Sequence, residues 1–511
     1  MEFGVKMRKS INMLKQYKYA IVIIFGAGIL GILSLMEQTF FYYDQARDAY
    51  EAYDIWHNLN PKILGPATDI SGLFHGVLWF YFLSFAYAIY NSPQFVTSII
   101  FILVFITVPA VGYLSHTLFN SRKIAIISMI LYAFSPLFQL SSRWLSNPVM
   151  GFFIVPFLMI ALWKYLQKQS IRWAILAGLC FGILIQSNLA YALLIYLVPL
   201  YLLLFKQRPR AIPGIAFIIS LFLMLISFII SELKFQGQGI EGAITFISNP
   251  HESTRLSSGF FIHFFERIND FFSISFFLVP LPIFILLLIG FLIILWKNKS
   301  KFRSEILFLI VWLSNILVFM LFSTGISNSL FVFFPSLVAL IILVSFSLSK
   351  LFPSRIAIGL ILVIIVIFQI NNSLDYIKQV RNPLTVQKDM ILPLEKRVID
   401  YTYEESGFNP FTINTVTSPL YINTTWAYLY NFYAEPKYGY LPFWDGKDQT
   451  GRLGSLPEKN TTTEYRYLII EPSTGIPDFF IESTILEEDQ ISTLVEEKQI
   501  GSFRIQKRLN N

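Results

Sequence analysis

The first 371 residues are dominated by long apolar runs, most of which contain no charged side chain. The runs cover residues 19–36, 73–90, 95–116, 124–140, 149–163, 172–186, 189–205, 211–231, 274–296, 305–323, 327–349 and 355–371. A helix needs roughly 20 apolar residues to cross the hydrocarbon core of a bilayer. Only 14% of the chain is charged and 55% is hydrophobic, whereas soluble domains carry about 25% charge. The sequence therefore predicts a multi-spanning membrane protein.

Lysine and arginine cluster in short loops between the runs, and these clusters predict the direction of each span. They lie at residues 6–18, 122–123, 164–172, 206–210, 297–303 and 350–355. Lys and Arg near span ends stay on the cytoplasmic side of a membrane. All the clusters share that side if run 73–90 does not cross. We therefore predict about eleven spans, an interfacial or re-entrant helix at 73–90, a cytoplasmic N-terminus and residues 372–511 outside the cell membrane.

This topology gathers four polar segments on the outer face, namely 37–94, 141–147, 186–188 and 232–273. Any chemistry is therefore expected outside. The net charge of +7 resides mostly in the short loops, so it indicates orientation in membrane lipids rather than a nucleic-acid partner. The single cysteine, Cys180, cannot form a disulfide within the chain. Run 19–36 follows a basic start, as in a signal peptide, but lacks a small-residue cleavage pattern, which favours an uncleaved first span.

The first outer segment begins with a predicted amphipathic helix over residues 42–56. Its alanines and aromatics recur at helical spacing and its charged residues fall largely on the other side. Such a helix lies flat on a membrane. Asp44 stands near its start, where it is either the helix N-cap or a catalytic carboxylate.

Three stretches resemble motifs of the GT-C glycosyltransferases, most closely the protein O-mannosyltransferases and the lipid A aminoarabinose transferases. Asp44-Gln45-Ala46-Arg47 resembles their Asp-Glu-x-Arg motif, residues 73–79 around His75 resemble His-Pro-Pro-Leu, and residues 142–148 resemble Ser-Arg-Tyr…Asp. The order and spacing match over roughly residues 19–200. The departures are Gln45 for Glu, Gly76-Val77 for two prolines, and Asn147 for a common Asp.

The resemblance implies a GT-C fold and transfer of a sugar from a polyprenyl-phosphate carrier to an acceptor outside the membrane. Such a reaction needs a base for the acceptor hydroxyl and cations for the leaving phosphate. Asp44 is the candidate base. The candidate substrate-binding residues are Arg47, His75, Arg143, Asn147, Lys234 and Arg255.

Each of these residues also has a purely structural interpretation. Arg143 would extend to the lipid headgroups, and Arg47 would pair with Glu51 one helical turn later. Lys234 and Arg255 would be solvated loop charges. His75 would be an interfacial histidine.

The sequence gives little indication of a metal or nucleotide cofactor. Its five histidines show no metal-ligand spacing, and neither a P-loop nor a G-x-G-x-x-G motif is present. Gln45 and Asn147 replace carboxylates of the family, so only neutral amides remain there to support a divalent metal. A lipid-linked donor is therefore expected, with no cofactor.

Residues 372–511 read as an extracytoplasmic α/β domain, separate from the transmembrane domain 1–371. The patterns predict helices at 388–406 and 425–434, strands at 411–417 and 465–471, and a hairpin over 493–498 and 502–507. Two alternative functions remain: a non-catalytic membrane scaffold acting through this domain, and a flippase for lipid-linked sugars. Ion-coupled transport is disfavoured because the runs contain almost no ionisable residues. The sugar and the acceptor are not encoded in any short motif.

Overall fold

The structure is a computed structural model that describes most of the chain. The described residues are 22–33, 38–68, 70–208, 210–248, 260–277, 280–298, 300–322, 330–378, 389–447, 456–459, 462–472 and 476–511. Its architecture is a large helical part followed by a small domain built on a β-sheet.

Eighteen described helices precede the sheet domain. They are α1 (Val22–Leu33), α2 (Tyr43–Trp56), α3 (Leu78–Ile89), α4 (Pro93–Phe119), α5 (Arg122–Phe134), α6 (Pro136–Ser141), α7 (Pro148–Lys168), α8 (Ile171–Ser187), α9 (Leu197–Leu204), α10 (Ala211–Met224), α11 (Ile226–Lys234), α12 (Gln238–Ser248), α13 (Phe260–Ser275), α14 (Leu281–Asn298), α15 (Arg303–Leu313), α16 (Asn315–Phe322), α17 (Phe334–Leu351) and α18 (Arg355–Ile377). Short 3-10 helices at Leu189–Tyr196 and Leu330–Phe333 lead into α9 and α17.

Within the described residues, four helices are long and apolar enough to cross a membrane alone. They are Pro93–Phe119, Pro148–Lys168, Phe331–Leu351 and Arg355–Tyr376, and the pair α10–α11, bent by 54°, forms a fifth candidate. The other predicted spans form shorter helices, and several of them are divided. Run 124–140, for example, is broken at Pro136, because proline lacks an N–H and forces Ser135 out of the helical conformation (ψ 128°).

The basic loops meet at one end of the bundle, which we call the basic end. Lys123 Nζ donates to the Phe352 carbonyl at 2.7 Å, and the Phe119 and Phe302 rings are 5.5 Å apart. Gln169 Nε2 donates to Gln207 Oε1 at 2.9 Å. The first loop (38–92), the turn 142–147 and residues 186–188 lie at the opposite end, the site end, which also carries the sheet domain.

Helix α3 begins and ends at the site end. Next to its start, the Gly76 amide donates to the Gln186 carbonyl at 3.0 Å. Just after its end, Asn91 Oδ1 accepts a hydrogen bond from Tyr428 of the sheet domain at 3.4 Å. Its 12 residues extend only about 18 Å. The run 73–90 therefore does not cross the bundle, in agreement with the loop charges.

The described residues of the sheet domain form five strands in the order β2-β1-β3-β5-β4. β1 is parallel to β2 and β3, and β5 is antiparallel to β3 and β4. Its elements are α19 (Leu392–Glu405), β1 (Thr412–Val416), α20 (Thr424–Leu429), a π-helix (Tyr430–Ala434), α21 (Glu435–Tyr438), β2 (Phe443–Trp444), β3 (Tyr465–Ile470), α22 (Asp478–Ile491), β4 (Ser492–Ile500) and β5 (Phe503–Asn510). The predicted helices, strands and hairpin are present, whereas α22 was not predicted.

The sheet domain packs directly on the first loop. The Leu392 amide donates to the Thr39 carbonyl at 2.9 Å, and Phe40 forms an antiparallel bridge with Ile391. The rings of Tyr50, on α2, and Tyr428 meet edge to face at 5.3 Å. Helix α2 therefore lies between the bundle and the sheet domain, where its position is fixed from both sides.

Candidate functional site

Helix α2 begins with a reciprocal cap that also joins two distant motifs. Tyr42 is the N-cap, and its amide donates to Gln45 Oε1 at 3.1 Å. Gln45 Nε2 donates to the Leu145 carbonyl at 3.0 Å. The structural alternative for Asp44 is thus wrong, because Asp44 lies in the first helical turn and Tyr42 is the cap. Gln45 holds the turn 142–147 against α2.

Asp44, Arg47 and Asp48 form a charged cluster on α2. Arg47 Nη1 lies 2.8 Å from Asp44 Oδ1, and Arg47 Nη2 lies 2.8 Å from Asp48 Oδ1. Trp79 Nε1 donates to Asp48 Oδ2 at 2.7 Å. Asp44 is half exposed and Asp48 is buried, with side-chain exposures of 49% and 3%. Burial raises the pKa of Asp48 to about 6, although Arg47 opposes the rise. Asp44 is therefore the accessible carboxylate and Asp48 anchors Arg47.

Lys62 is a site residue that the sequence analysis missed. Its Nζ lies 2.9 Å from Glu51 Oε2 and 2.7 Å from Asp54 Oδ2. The suggested partner of Arg47, Glu51, thus binds Lys62, while Arg47 bridges the two aspartates. A signal was available in the sequence, because a lysine in a loop predicted to lie outside departs from the cytoplasmic bias of basic residues.

His75 is held as a neutral imidazole with a defined tautomer. The Leu189 amide donates to His75 Nδ1 at 3.1 Å, so Nε2 carries the proton. Burial lowers the pKa of His75 to about 4, and nearby Arg47 contributes to the shift. His75 therefore offers one N–H donor rather than a positive charge.

The turn 142–147 contains Arg143 and Asn147, which are both buried. Arg143 Nε donates to the Gln139 carbonyl at 2.9 Å, whereas Nη1 and Nη2 have no hydrogen-bond partner among the described residues. With 0% exposure, Arg143 does not extend to the headgroups as the structural alternative required. Asn147 Nδ2 donates to the Ser187 carbonyl at 2.6 Å, which ties this turn to the end of α8.

Two neighbouring cavities open beside these residues. The larger, about 380 Å³, is lined by Arg47, Glu51, Lys62 and Lys234 together with apolar side chains, and we call it the cationic cavity. The smaller, about 150 Å³, is lined by His75, Phe74 and polar side chains of α11 and α12, and we call it the polar cavity. Residues 63, 64 and 74 line both cavities, so the two cavities share a wall.

The structure thus brings some of the predicted residues together and separates others. Arg47 and Lys234 line the cationic cavity, Asp44 is joined to Arg47, and His75 lines the polar cavity. Arg143 and Asn147 lie in the adjoining turn and line neither of the two cavities. Arg255 lies outside the described residues. Within the described part of the chain, no three His, Cys, Asp or Glu side chains are grouped so that they could hold a metal ion.

Residues 74–231 match the family model described as dolichyl-phosphate-mannose-protein mannosyltransferase. This segment includes His75, Arg143 and Asn147, while Asp44 and Arg47 precede it. No curated protein sequence matches the chain significantly.

Three solved structures match nearly the whole chain. ArnT from Cupriavidus metallidurans bound to undecaprenyl phosphate superposes with a TM-score of 0.62 at 11% identity, covering 96% of this chain and 98% of that one. The apo state of the same protein gives a TM-score of 0.60 at 11% identity with the same coverage. The archaeal oligosaccharyltransferase AglB from Archaeoglobus fulgidus gives 0.48 at 10% identity, covering 98% of this chain and 75% of that one.

The chain is a multi-pass membrane protein with the fold of the GT-C glycosyltransferases and a small C-terminal sheet domain. The resemblance found in the sequence is confirmed, because residues 74–231 match the mannosyltransferase family model and the chain superposes on ArnT.

Proposed function

We propose that this protein transfers a hexosyl or pentosyl group from a polyprenyl-phosphate donor to an acceptor at the site end. The N-terminus would lie in the cytoplasm, and the site end and sheet domain would lie outside. The observation that carries the proposal is the arrangement on α2. An accessible carboxylate, Asp44, is joined to Arg47 at the edge of a cavity that also contains Lys62 and Lys234.

Asp44 is proposed as the general base. Its half-exposed carboxylate takes the proton of the acceptor hydroxyl as the hydroxyl oxygen attacks the anomeric carbon. The bond from that carbon to the phosphate oxygen breaks, and the configuration inverts by analogy with the family. Arg47 orients Asp44 through the 2.8 Å contact between Arg47 Nη1 and Asp44 Oδ1.

Cations at the site end meet the negative charge that develops on the leaving polyprenyl phosphate. Lys234 is exposed at the cationic cavity and has no carboxylate partner among the described residues. Lys62 is held by two carboxylates and would reorient toward a phosphate. Arg143 presents two free Nη atoms on the adjoining turn. Arg255 remains a proposed phosphate contact, and no cofactor is assigned to the reaction.

The donor class is supported by one similar structure and by the matched family. The ArnT structure contains undecaprenyl phosphate, and the family description contains dolichyl-phosphate-mannose. Both compounds are polyprenyl phosphates. For this chain they favour a carrier of the same chemistry, with His75 and Asn147 as further substrate-binding candidates. The acceptor is left open.

The test compares carrier turnover in membranes that contain the wild type, Asp44→Asn or Asp478→Asn. Asp478 is a matched control because it is also an aspartate in a first helical turn, on α22, away from both cavities. A lost general base lowers the rate by about 10²–10⁴-fold. We expect that loss for Asp44→Asn and none for Asp478→Asn, with equal amounts inserted.

Equal turnover by the wild type and Asp44→Asn would show that Asp44 is not the base. If the wild type turns over no polyprenyl-phosphate sugar, the transferase proposal itself fails, and a scaffold or flippase becomes the better explanation.

A further inference from the structure

Three polar side chains of the polar cavity each use one hydrogen-bonding group within the protein and keep another for a ligand. Ser231 Oγ donates to the Phe228 carbonyl at 2.9 Å and keeps lone pairs free to accept. Ser227 Oγ accepts from Gln186 Nε2 at 2.8 Å and keeps its own O–H. His75 Nδ1 is occupied by the Leu189 amide, which leaves Nε2–H as a donor. The cavity therefore presents donors and acceptors side by side, as a polyhydroxylated ligand requires.

The side chains that line the polar cavity differ in charge from those that line the cationic cavity. Glu232 is the acidic side chain of the polar cavity, and its Oε2 accepts from the Ile240 amide at 3.3 Å. Among the described residues, the lining of this cavity includes no lysine or arginine. The cationic cavity has three: Arg47, Lys62 and Lys234. An anionic group in the polar cavity would meet Glu232 without a compensating cation, and like charges at short range repel.

The size of the polar cavity restricts the ligand further. Its volume is about 150 Å³, and an engineered apolar cavity of that size in another protein binds benzene. Aromatic side chains, Phe74, Phe228 and Phe235, form part of the wall. The cavity therefore has room for one ring-sized group.

We propose that the polar cavity binds the sugar of the donor as a single ring without an anionic group, while the donor phosphate occupies the cationic cavity. The inference rests on the proposed function and goes beyond it by naming the class of sugar. The shared wall at residues 63, 64 and 74 allows one ligand to span both cavities. Glu232 then acts as a specificity residue that disfavours uronic acids and other acidic sugars.

The test measures binding of three carriers to the purified full-length protein in detergent. They are undecaprenyl phosphate, the same carrier bearing glucose, and the same carrier bearing glucuronic acid. We expect the wild type to bind the glucosyl carrier at least 10-fold more tightly than the glucuronyl carrier. In Ser231→Leu, which fills the polar cavity, we expect at least a 10-fold loss for the glucosyl carrier and an unchanged affinity for the bare carrier.

Glu232→Gln provides a nearly isosteric second variant that keeps the cavity shape. We expect it to bring the glucuronyl carrier to within about 3-fold of the glucosyl carrier, since the repelling charge is gone. If Ser231→Leu changes all three affinities equally or none of them, or if the wild type prefers the glucuronyl carrier, the sugar assignment is overturned. If the wild type binds no carrier at all, the proposed function fails and the sugar assignment fails with it.

Discussion

Among the described residues, three arginines are almost completely buried, and their surroundings differ between the two parts of the molecule. Arg466 and Arg508 lie in the sheet domain, and Arg143 lies in the helical part, with exposures of 1%, 0% and 0%. Arg466 binds Glu488 and also donates from Nη1 to Asp445 Oδ2 at 2.6 Å. Arg508 binds Asp489, Ser492 and Gln506. The Arg143 side chain makes one hydrogen bond, to a backbone carbonyl, among the described residues.

The comparison distinguishes two roles of a buried positive charge, one structural and one in binding a ligand. A buried charge is tolerated when it is paired and hydrogen-bonded, and it is otherwise strongly unfavourable. Arg466 and Arg508 satisfy this condition within the fold, so their role is structural. Arg143 carries two Nη atoms without a hydrogen-bond partner among the described residues, in the turn that Gln45 joins to α2, which is the arrangement expected of a group that receives an anion from a ligand.

The largest effect is a loss of stability, expected when one partner of a buried ion pair is removed. Arg466→Met leaves Glu488, 2% exposed, without its cation, and removal of one partner of a buried pair typically destabilises by about 3–5 kcal/mol. Denaturant or thermal unfolding of the full chain in detergent would measure the loss. Arg504→Met is the control, because Arg504 pairs with Glu497 on the surface at 3.1 Å and such pairs contribute about 1 kcal/mol or less. Similar losses for both variants would contradict the structural role.

Arg143→Met should separate activity from stability. Under the proposed function it lowers transfer by about 10²–10³-fold, the loss seen when one donor to a developing negative charge is removed. The free energy of unfolding should stay the same or increase, since an unsatisfied buried charge is replaced by an apolar side chain of similar length. Turnover and unfolding would be measured on the same preparation. A stability loss like that of Arg466→Met would instead assign Arg143 a structural role.

The smallest expected effect concerns a buried carboxyl without a nearby cation. Glu471 accepts from Trp426 Nε1 at 2.9 Å and from the Ser418 amide at 2.7 Å, and burial raises its pKa to about 7. Because the folded pKa exceeds the unfolded value, its contribution to stability is fully present below about pH 4.5 and is lost as pH rises through 7. Between pH 6 and pH 8 the wild type should lose on the order of 1 kcal/mol relative to Glu471→Gln.

Melting temperatures of both proteins at several pH values would check that the stability of the wild type relative to Glu471→Gln falls as pH rises. Glu395 is a second buried carboxyl, and burial together with Glu471 raises its pKa well above the usual range. Glu395→Gln should therefore show the same direction. A wild type that gains stability relative to these variants as pH rises would refute the assignment.

The sequence predicted the features that depend on local pattern. Apolar runs and basic loops located the helical part and predicted that run 73–90 does not cross it. The strand and helix patterns predicted β1, β3 and the terminal hairpin. It did not predict that a helix ends before Pro136, or that the chain bends by 54° between α10 and α11. Both arise within apolar runs whose composition does not change at the break.

The site was predicted less completely, because its contacts join residues far apart in the chain. Gln45 was interpreted as a departure from the family, yet it caps α2 and binds the Leu145 carbonyl 100 residues away. Asp48 was placed on the polar face of α2, and its contact with Trp79 emerged only in three dimensions. The complete burial of Arg143 likewise follows from packing that a short motif does not encode.

Helix α3 has a consequence for how a donor would be encountered. Its outward face exposes Tyr81, Phe85 and Ile89 next to the two cavities, and its length of about 18 Å cannot match a bilayer core of about 30 Å. A ligand dissolved in the membrane would arrive along this face by diffusion in the plane of the leaflet. The donor concentration that matters for such a protein is the number of carrier molecules per unit area of membrane. Saturation of the site should therefore follow the mole fraction of carrier in the lipid rather than its bulk molarity.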